Sequence, residues 1–312
     1  MTQPAFSAER PLRIGTRRSP LALAQAEMTA TTIRVVHGLT EDAVVLVPML
    51  ASGDKIQDRP LAEIGGKALW TKELERALID DQIDIAVHSM KDVETVRPGT
   101  FQISAMLPRA DVRDRLIGAV SIEALLQGAR VGTSSPRRAA QMLRLRPDLH
   151  IVPLRGNVAT RLAHIAAGDA DATLLAAAGL DRLGMADTGH GVDTTQLLPA
   201  ASQGAVGIDR LAARAELEPL LAAINHRPTW HAVWAERNFL QALGGTCHSP
   251  VAALAIIDGE NIHLIGQIFS SDGSEMHDGE VSFAVGDLSA PGKLATKLLG
   301  NASAGLKALF NP

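Results

Sequence analysis

The sequence predicts an α/β protein with two similar lobes and a small C-terminal α+β domain. Short β-branched runs alternate with helical runs over the first two-thirds of the chain, which is typical of βαβ units. One strand-turn-helix motif occurs twice in that region, at residues 14–20 and 131–138. The last quarter changes to a long helix followed by three β-type runs, which predict a three-stranded antiparallel sheet.

The first segment runs from Leu12 to about Met106. Its expected strands and helices are, in order, strand Leu12–Thr16, helix Leu21–Val36, strand Val44–Pro48, helix Ala68–Asp80 and strand Ile83–His88. The stretch Ala51–Lys67 is rich in Gly, Asp, Lys and Pro, which favours a mobile loop or lid.

The second and third segments follow from about Arg113. The second is expected to contain strands Leu116–Val120, Arg130–Gly132, His150–Leu154 and Ala172–Ala177, and helices Pro136–Arg146 and Val158–Ala167. Ser202–Asp209 reads as a further strand beside a glycine turn. The third is expected to contain helix Thr229–Leu243, strands Val251–Ile257, Ile262–Phe269 and Gly279–Val285, and one closing helix over Leu288–Phe310.

Composition excludes several classes of protein. The 312 residues predict two or three domains, and no apolar run reaches the roughly 18 residues that span a bilayer. Met1 to Arg10 lack a signal-peptide layout, so we expect a cytoplasmic protein without a membrane partner. A net charge of −4 and 3% aromatic residues argue against nucleic-acid binding. The single cysteine, Cys247, excludes a disulfide framework, and no metal site is expected.

The repeated motif predicts two anion-binding helix starts. Gly-Thr is followed by Ser19-Pro20 in one copy and by Ser135-Pro136 in the other, each after a β-type run. Serine is a good N-cap, and proline fits the first helical turn because its missing N–H costs nothing there. Arginines stand beside both starts, where the helix dipole also favours anions. We therefore expect two lobes that hold one polyanionic ligand.

Two further stretches carry candidate chemistry. The polar run from His88 to Asp92 follows a buried strand, at the end where α/β folds place ligands, although a solvated strand end is the plainer interpretation. Cys247 lies in the turn Gly-Gly-Thr-Cys-His-Ser-Pro, which favours exposure, although a buried inert thiol is equally compatible. Arg155 and Arg161 flank a third strand-turn-helix unit and face either a cleft or solvent.

The order of these motifs resembles the porphobilinogen deaminase (hydroxymethylbilane synthase) family over nearly the whole chain. The resemblance rests on eight stretches: residues 13–23, 65–75, 86–92, 131–138, 154–162, 178–184, 203–208 and 244–250. It implies two periplasmic-binding-protein-like lobes, residues 1–108 with 203–224 and residues 109–202. It also implies a C-terminal cofactor-anchoring domain over residues 225–312 and a monomeric protein.

The resemblance implies a transferase that joins four porphobilinogen molecules head to tail into hydroxymethylbilane and releases ammonia at each addition. A dipyrromethane cofactor would be bound to Cys247 through a thioether. Asp92 and Lys91 match the catalytic positions. The positions matched to cofactor binding are Cys247, Lys91, Asp92, Thr133, Ser134, Ser135, Arg137, Arg138, Arg155 and Gly156. Those matched to substrate binding are Arg17, Ser19, Arg155, Arg161, Arg182, Gln203 and Trp70. Residues 53–66 match the mobile lid.

Some positions depart from the family pattern. Glu94 replaces a usual proline, Thr246 a usual glycine, and Ala201-Ser202 a usual Val-Gly. Two other functions stay open from the residues alone: a two-lobed anion-binding protein of periplasmic-receptor type, and a cysteine hydrolase using Cys247 with His248. Neighbouring residues rarely point at each other well enough for the second.

Overall fold

The computed structural model describes residues 6–50, 71–246 and 249–310. The expected lid, Trp70, Cys247 and His248 lie outside the described residues. The chain divides into two compact units. Unit 1 comprises residues 1–109 and 205–230, and unit 2 comprises residues 110–204 and 231–312.

The described residues form thirteen strands and nine α-helices. The strands are β1 Leu12–Arg17, β2 Val44–Met49, β3 Ile85–Ser89, β4 Phe101–Met106, β5 Asp114–Ile117, β6 Arg130–Gly132, β7 His150–Val152, β8 Ala172–Ala176, β9 His190–Gly191, β10 Val206–Leu211, β11 Val251–Asp258, β12 Asn261–Phe269 and β13 Met276–Ala284. The helices are α1 Pro20–His37, α2 Lys72–Ile79, α3 Pro136–Leu145, α4 Val158–Ala166, α5 Ala177–Arg182, α6 Glu218–Ala222, α7 Arg227–Ala242, α8 Ala290–Asn301 and α9 Ala304–Lys307. Among these helices, none has both the length and the apolar composition that a membrane crossing needs.

Unit 1 is built on a five-stranded mixed sheet with the order β2-β1-β3-β10-β4. The first three strands run parallel, whereas β10 is antiparallel to both of its neighbours. The buried side chains of β1, β3 and β10 share one apolar cluster with α1, because α1 presents Ala26, Ala30 and Ile33 to it. The polar ends of β1 and β3 are thereby held side by side.

Unit 2 contains a second five-stranded sheet with the order β7-β6-β8-β5-β9. Its strands β7, β6 and β8 are parallel, and β5 is antiparallel to both β8 and β9. Each sheet thus has three parallel strands followed by an inserted antiparallel strand. The prediction of two similar α/β lobes is confirmed, with sheets that are mixed rather than wholly parallel.

The three-stranded antiparallel sheet predicted for the C-terminal region is also confirmed, with the order β11-β12-β13 in unit 2. Its inner face packs on α7 and α8 in one apolar cluster. Gly266 in β12 makes room for the ring of Phe239, since a Cβ there would lie 2.4 Å from Cζ of that ring.

The expected elements differ from the structure in several places. The closing helix is not continuous: α8 ends at Asn301, and Ser303 caps the separate helix α9 by accepting a hydrogen bond from the N–H of Leu306 at 3.1 Å. The strand expected at 116–120 is shifted to β5, because Gly118 turns the chain with a φ of +98°. The sequence interpretation did not identify β4.

Candidate functional site

The first copy of the repeated motif lies in unit 1 and has the predicted geometry. β1 ends at Arg17, and the Oγ of Ser19 accepts a hydrogen bond from the N–H of Ala22 at 3.3 Å. Ser19 has an extended backbone (φ −66°, ψ 146°), and Pro20 opens helix α1. The serine cap and the proline start are therefore confirmed at this position.

An open pocket of about 440 Å³, part of it solvent, lies at this helix start. Its lining includes Arg17, Ser19, Gln25 and Asp92. Gln25 is buried in α1, and its Nε2 donates to the Oγ of Ser89 at 2.8 Å, which ties α1 to the end of β3. The pocket thus combines a cationic side chain with a carboxylate and neutral polar groups.

The run from His88 to Asp92 forms the end of β3 and a single 3₁₀ turn over Met90–Asp92. Met90 is fully buried and anchors the turn, and the N–H of Met90 donates to the carbonyl of Ala205 at 3.1 Å. Lys91 is half-buried, whereas Asp92 is exposed and lines the pocket. Asp92 is therefore accessible from the pocket.

A buried polar cluster lies beside the pocket. His88 is 7% exposed, and its Nε2 lies 3.7 Å from the Oδ2 of the fully buried Asp209 in β10. Arg97 pairs with both Asp209 and Glu75, and its guanidinium lies 5.2 Å from the ring centre of Phe101. This cluster fixes β10 against β3, next to the strand end that carries Ser89.

The second copy of the motif lies in unit 2 and repeats the first. Ser135 caps α3 by accepting from the N–H of Arg138 at 3.4 Å, and Pro136 opens the helix. The Oγ1 of Thr133 accepts from the N–H of Ser135 at 3.1 Å. Ser134 donates its hydroxyl to the carbonyl of Leu154 at 3.1 Å, so the turn is braced against the neighbouring segment.

Arg137 and Arg138 are buried, and both pair with the carboxylate of Asp114, at 2.8 and 2.7 Å. Burial alone would raise the pKa of Asp114, but the charges and hydrogen bonds of Arg138 and Arg137 outweigh burial and hold that pKa far below its usual range. Burial lowers the pKa of Arg137. Gln203 is also buried and donates to Asp114 at 2.9 Å.

The third strand-turn-helix unit is also present. Asn157 caps α4 by accepting from the N–H of Thr160 at 2.9 Å. Gly156 has a φ of +103°, and a Cβ there would lie 2.7 Å from the side chain of Thr160, so this turn requires glycine. Arg161 reaches back from α4 and donates its Nε to the carbonyl of Gly156 at 3.0 Å, and Arg155 is half-buried.

Arg182 closes α5 and donates to the carbonyl of Gly204 at 2.7 Å. Burial lowers the pKa of its guanidinium. This contact fixes Arg182 beside Gln203, within the same unit.

The predicted site residues therefore fall into two groups. Unit 1 holds Arg17, Ser19, Lys91 and Asp92, and of these Arg17, Ser19 and Asp92 line one pocket. Unit 2 holds Thr133, Ser134, Ser135, Arg137, Arg138, Arg155, Gly156, Arg161, Arg182 and Gln203. The described residues contain no group of three His, Cys, Asp or Glu side chains that could hold a metal ion.

The sequence interpretation missed Gln25 and Asp114. Gln25 had a weak signal, as a polar residue on the mostly apolar buried face of α1, which also contains Thr29. Asp114 had none, because its partners are distant in the chain.

Comparison with known proteins identifies the family. The family described as "Porphobilinogen deaminase, dipyromethane cofactor binding domain" matches residues 12–219, and "Porphobilinogen deaminase, C-terminal domain" matches residues 230–300. A porphobilinogen deaminase of Sphingopyxis alaskensis is 57% identical over 308 residues, covering 97% of each chain. One of Paracoccus denitrificans is 48% identical over 300 residues, covering 95% of this chain and 96% of the relative.

Among solved structures, a TRAP periplasmic solute-binding protein from Desulfovibrio salexigens is similar only loosely, with a TM-score of 0.41 and 11% identity over 73% of this chain and 75% of that one. The two family domains and the two relatives cover almost the whole chain. On these grounds the chain belongs to the porphobilinogen deaminase family.

Proposed function

We propose that this enzyme joins four porphobilinogen molecules head to tail into hydroxymethylbilane, with release of ammonia at each addition. The observation that carries the proposal is the pocket of unit 1, where Arg17 and the capped start of α1 lie beside Asp92. Porphobilinogen brings two carboxylates and an aminomethyl group, so it needs a cationic contact and an anionic contact in one site. Arg17 and Asp92 supply them.

Asp92 acts on the aminomethyl group. Loss of ammonia breaks the carbon–nitrogen bond of a protonated amine and leaves an electron-poor methylene-pyrrole. The carboxylate of Asp92 stabilises that positive charge, as preorganised charges do in enzyme sites. Lys91 stands next to it and attracts the carboxylates of the substrate. Arg17 and Ser19 hold the acetate or propionate at the start of α1, where the helix dipole adds to the attraction.

The residues of unit 2 suit the polycarboxylate dipyrromethane cofactor. Arg137 and Arg138 share a single carboxylate, so their cluster keeps one positive charge. When bound, the cofactor supplies the primer to which the first pyrrole is added. The residues proposed to hold it are Lys91, Asp92, Thr133, Ser134, Ser135, Arg137, Arg138, Arg155 and Gly156, with Cys247 as its point of attachment through a thioether. Arg155, Arg161, Arg182, Gln203 and Trp70 are proposed to contact the substrate.

The proposal also covers the type of ligand, the oligomeric state, the localisation and the domain division. A chain of this net charge, −4, with few aromatic residues suits a small anionic substrate better than nucleic acid. We propose a monomeric cytoplasmic enzyme with the three-domain division given above, in which residues 225–312 carry the cofactor.

The decisive experiment is the intact mass of the purified chain. We expect an excess over the sequence mass equal to two linked pyrrole units, and colour with an aldehyde reagent for pyrroles. Cys247→Ser removes both. Ser249→Ala is the matched control, because it changes the same turn, where its Oγ accepts from the N–H of Thr246 at 3.0 Å, and leaves the thiol in place. A folded wild-type chain without excess mass or colour would refute the proposal.

A further inference from the structure

Asp114 gathers three of the proposed site residues around one carboxylate. It opens β5 and its side chain is fully buried. Its Oδ2 accepts from Nη2 of Arg137 at 2.8 Å and from Nε of Arg138 at 3.2 Å. Its Oδ1 accepts from Nη2 of Arg138 at 2.7 Å and from Nε2 of Gln203 at 2.9 Å.

The charges of this cluster do not balance. Arg137 and Arg138 contribute two positive charges and Asp114 one negative charge, and all three side chains are at most 7% exposed. The other partners of Arg137 in the described part of the chain are neutral: Oε1 of Gln141 at 2.9 Å and the carbonyl of Leu198 at 2.8 Å. Buried charges are ordinarily paired, so this cluster is one anion short.

Asp114 also decides how the two guanidiniums are oriented. Its carboxylate accepts hydrogen bonds from both Nε and Nη2 of Arg138, and this bidentate contact sets the plane of the guanidinium. It also accepts a hydrogen bond from Nη2 of Arg137, whose Nη1 donates to Gln141 and Leu198. Both forks are therefore fixed before any ligand is bound. Nη1 is the part of Arg138 that these contacts to Asp114 do not use.

We propose that Asp114 is a positioning residue, which holds Arg138 so that its Nη1 meets a carboxylate of the bound pyrrole chain. The inference rests on the proposed function, since it takes that polyanion as the missing partner of the cluster. Asp114 acts through the arginine and does not touch the ligand. It lowers the cost of binding by fixing the fork in advance.

Asp114→Asn distinguishes a positioning role from an effect of charge alone, because the two predict opposite changes in the affinity for anionic ligands. The substitution keeps the shape of the side chain and removes a negative charge beside an anion site. If charge alone mattered, anionic ligands would bind more tightly. If positioning matters, the loosened and mutually repelling guanidiniums bind more weakly. We expect at least a tenfold rise in the porphobilinogen concentration that half-saturates loading of the full-length cofactor-free chain, followed by intact mass.

Asp171→Asn is the matched control. Asp171 also pairs with an arginine in unit 2, Arg130 at 2.8 Å, but this pair is exposed. We expect less than a twofold change in the half-saturating concentration. Arg138→Lys is the second variant. It keeps a positive charge to pair with Asp114 but removes the planar guanidinium. It should raise the half-saturating concentration at least tenfold, and it can be measured even if Asp114→Asn fails to fold.

An unchanged or lower half-saturating concentration in folded Asp114→Asn, or an unchanged one in Arg138→Lys, overturns the inference. A purely structural role of Asp114 would reduce the yield of folded chain and leave that concentration unchanged. A wild-type chain that takes up no pyrrole units contradicts the proposed function instead. Normal loading of the wild type with unchanged loading of both variants contradicts only the role of Asp114.

Discussion

The carboxylate of Glu236 accepts a hydrogen bond from the backbone N–H of Ser202 at 2.6 Å. Its other oxygen accepts from the N–H of Ala255 at 2.8 Å, so one buried side chain of α7 holds two distant segments. Ser202 has a φ of +67°, a conformation that favours glycine. Its hydroxyl is buried and makes no hydrogen bond within the described part of the chain. Glycine is the residue that the family resemblance leads us to expect at this position.

Ser202→Gly is expected to stabilise the protein by about 1 kcal/mol. The change relieves the left-handed strain and removes a buried, unsatisfied hydroxyl, and these gains exceed the extra chain entropy of glycine. Thermal unfolding measures the effect. Ser202→Ala is the control, since it removes only the hydroxyl and keeps the strain, so its gain should be smaller. A lower midpoint for Ser202→Gly would contradict this account.

Asp92→Asn is expected to retain the excess mass of the cofactor and to lower turnover of porphobilinogen at least about a hundredfold. The reason is that the amide cannot stabilise the developing positive charge as a carboxylate does. Asp80→Asn is the control, because Asp80 is exposed at the end of α2 and makes only a weak pair with Arg76 at 3.4 Å. Normal turnover of Asp92→Asn would exclude the catalytic role.

Arg17→Gln is expected to raise KM for porphobilinogen about tenfold with a smaller effect on kcat. A carboxylate held away from the reacting carbon is bound equally in the ground state and the transition state, so its loss acts on KM. The neighbouring Arg18 offers a matched control, because it is exposed and is not among the pocket-lining residues. Steady-state kinetics of both variants decide the point: equal effects would place the anion contact elsewhere.

Asp209→Asn is expected to destabilise the protein by about 1.5–3 kcal/mol, the usual worth of a hydrogen bond to a charged group. It removes one of the two carboxylates that pair with the buried Arg97, which keeps only Glu75. Thermal or denaturant unfolding measures the loss. Asp80→Asn, which breaks an exposed pair, should cost less than about 0.5 kcal/mol. A similar loss in both variants would mean that the buried pair has no special role.

Glu275 makes part of the stability of the C-terminal region depend on pH. Hydrogen bonds from the side chain and N–H of Ser303, with His277 nearby, lower the pKa of Glu275 from 4.5 to about 2. Because the folded pKa is depressed, its contribution is present above pH 4.5 and is lost as the pH falls towards 2. Glu275→Gln should therefore flatten the fall in melting temperature over that range. An unchanged slope would contradict the assignment.

The repeated motifs could be predicted because their signals are local. Ser19-Pro20 and Ser135-Pro136 specify a cap and a first turn within a few residues, and the structure has both. The same holds for the strand before His88. A helix cap and a first turn form from neighbouring residues, so they can be predicted without knowing how distant segments pack.

Other features depend on distant partners and could not be predicted. Asp114 gains its role only when β5 brings it against α3 and Gln203. The break before α9 depends on Glu275, which binds Ser303 across the C-terminal fold. The insertion of β10 between β3 and β4 joins strands that are far apart in the chain.

The inserted strand β10 also sets the order in which the molecule can be completed during synthesis. β10 pairs with β3 beside Ser89 and fills the place between β3 and β4 in the first sheet, yet it leaves the ribosome only after the entire second sheet has been made. The second sheet needs nothing beyond Gly191. The sheet of the N-terminal lobe is therefore completed later than the sheet of the second lobe. Until Leu211 emerges, the edge of β3 stays open to pairing with other chains.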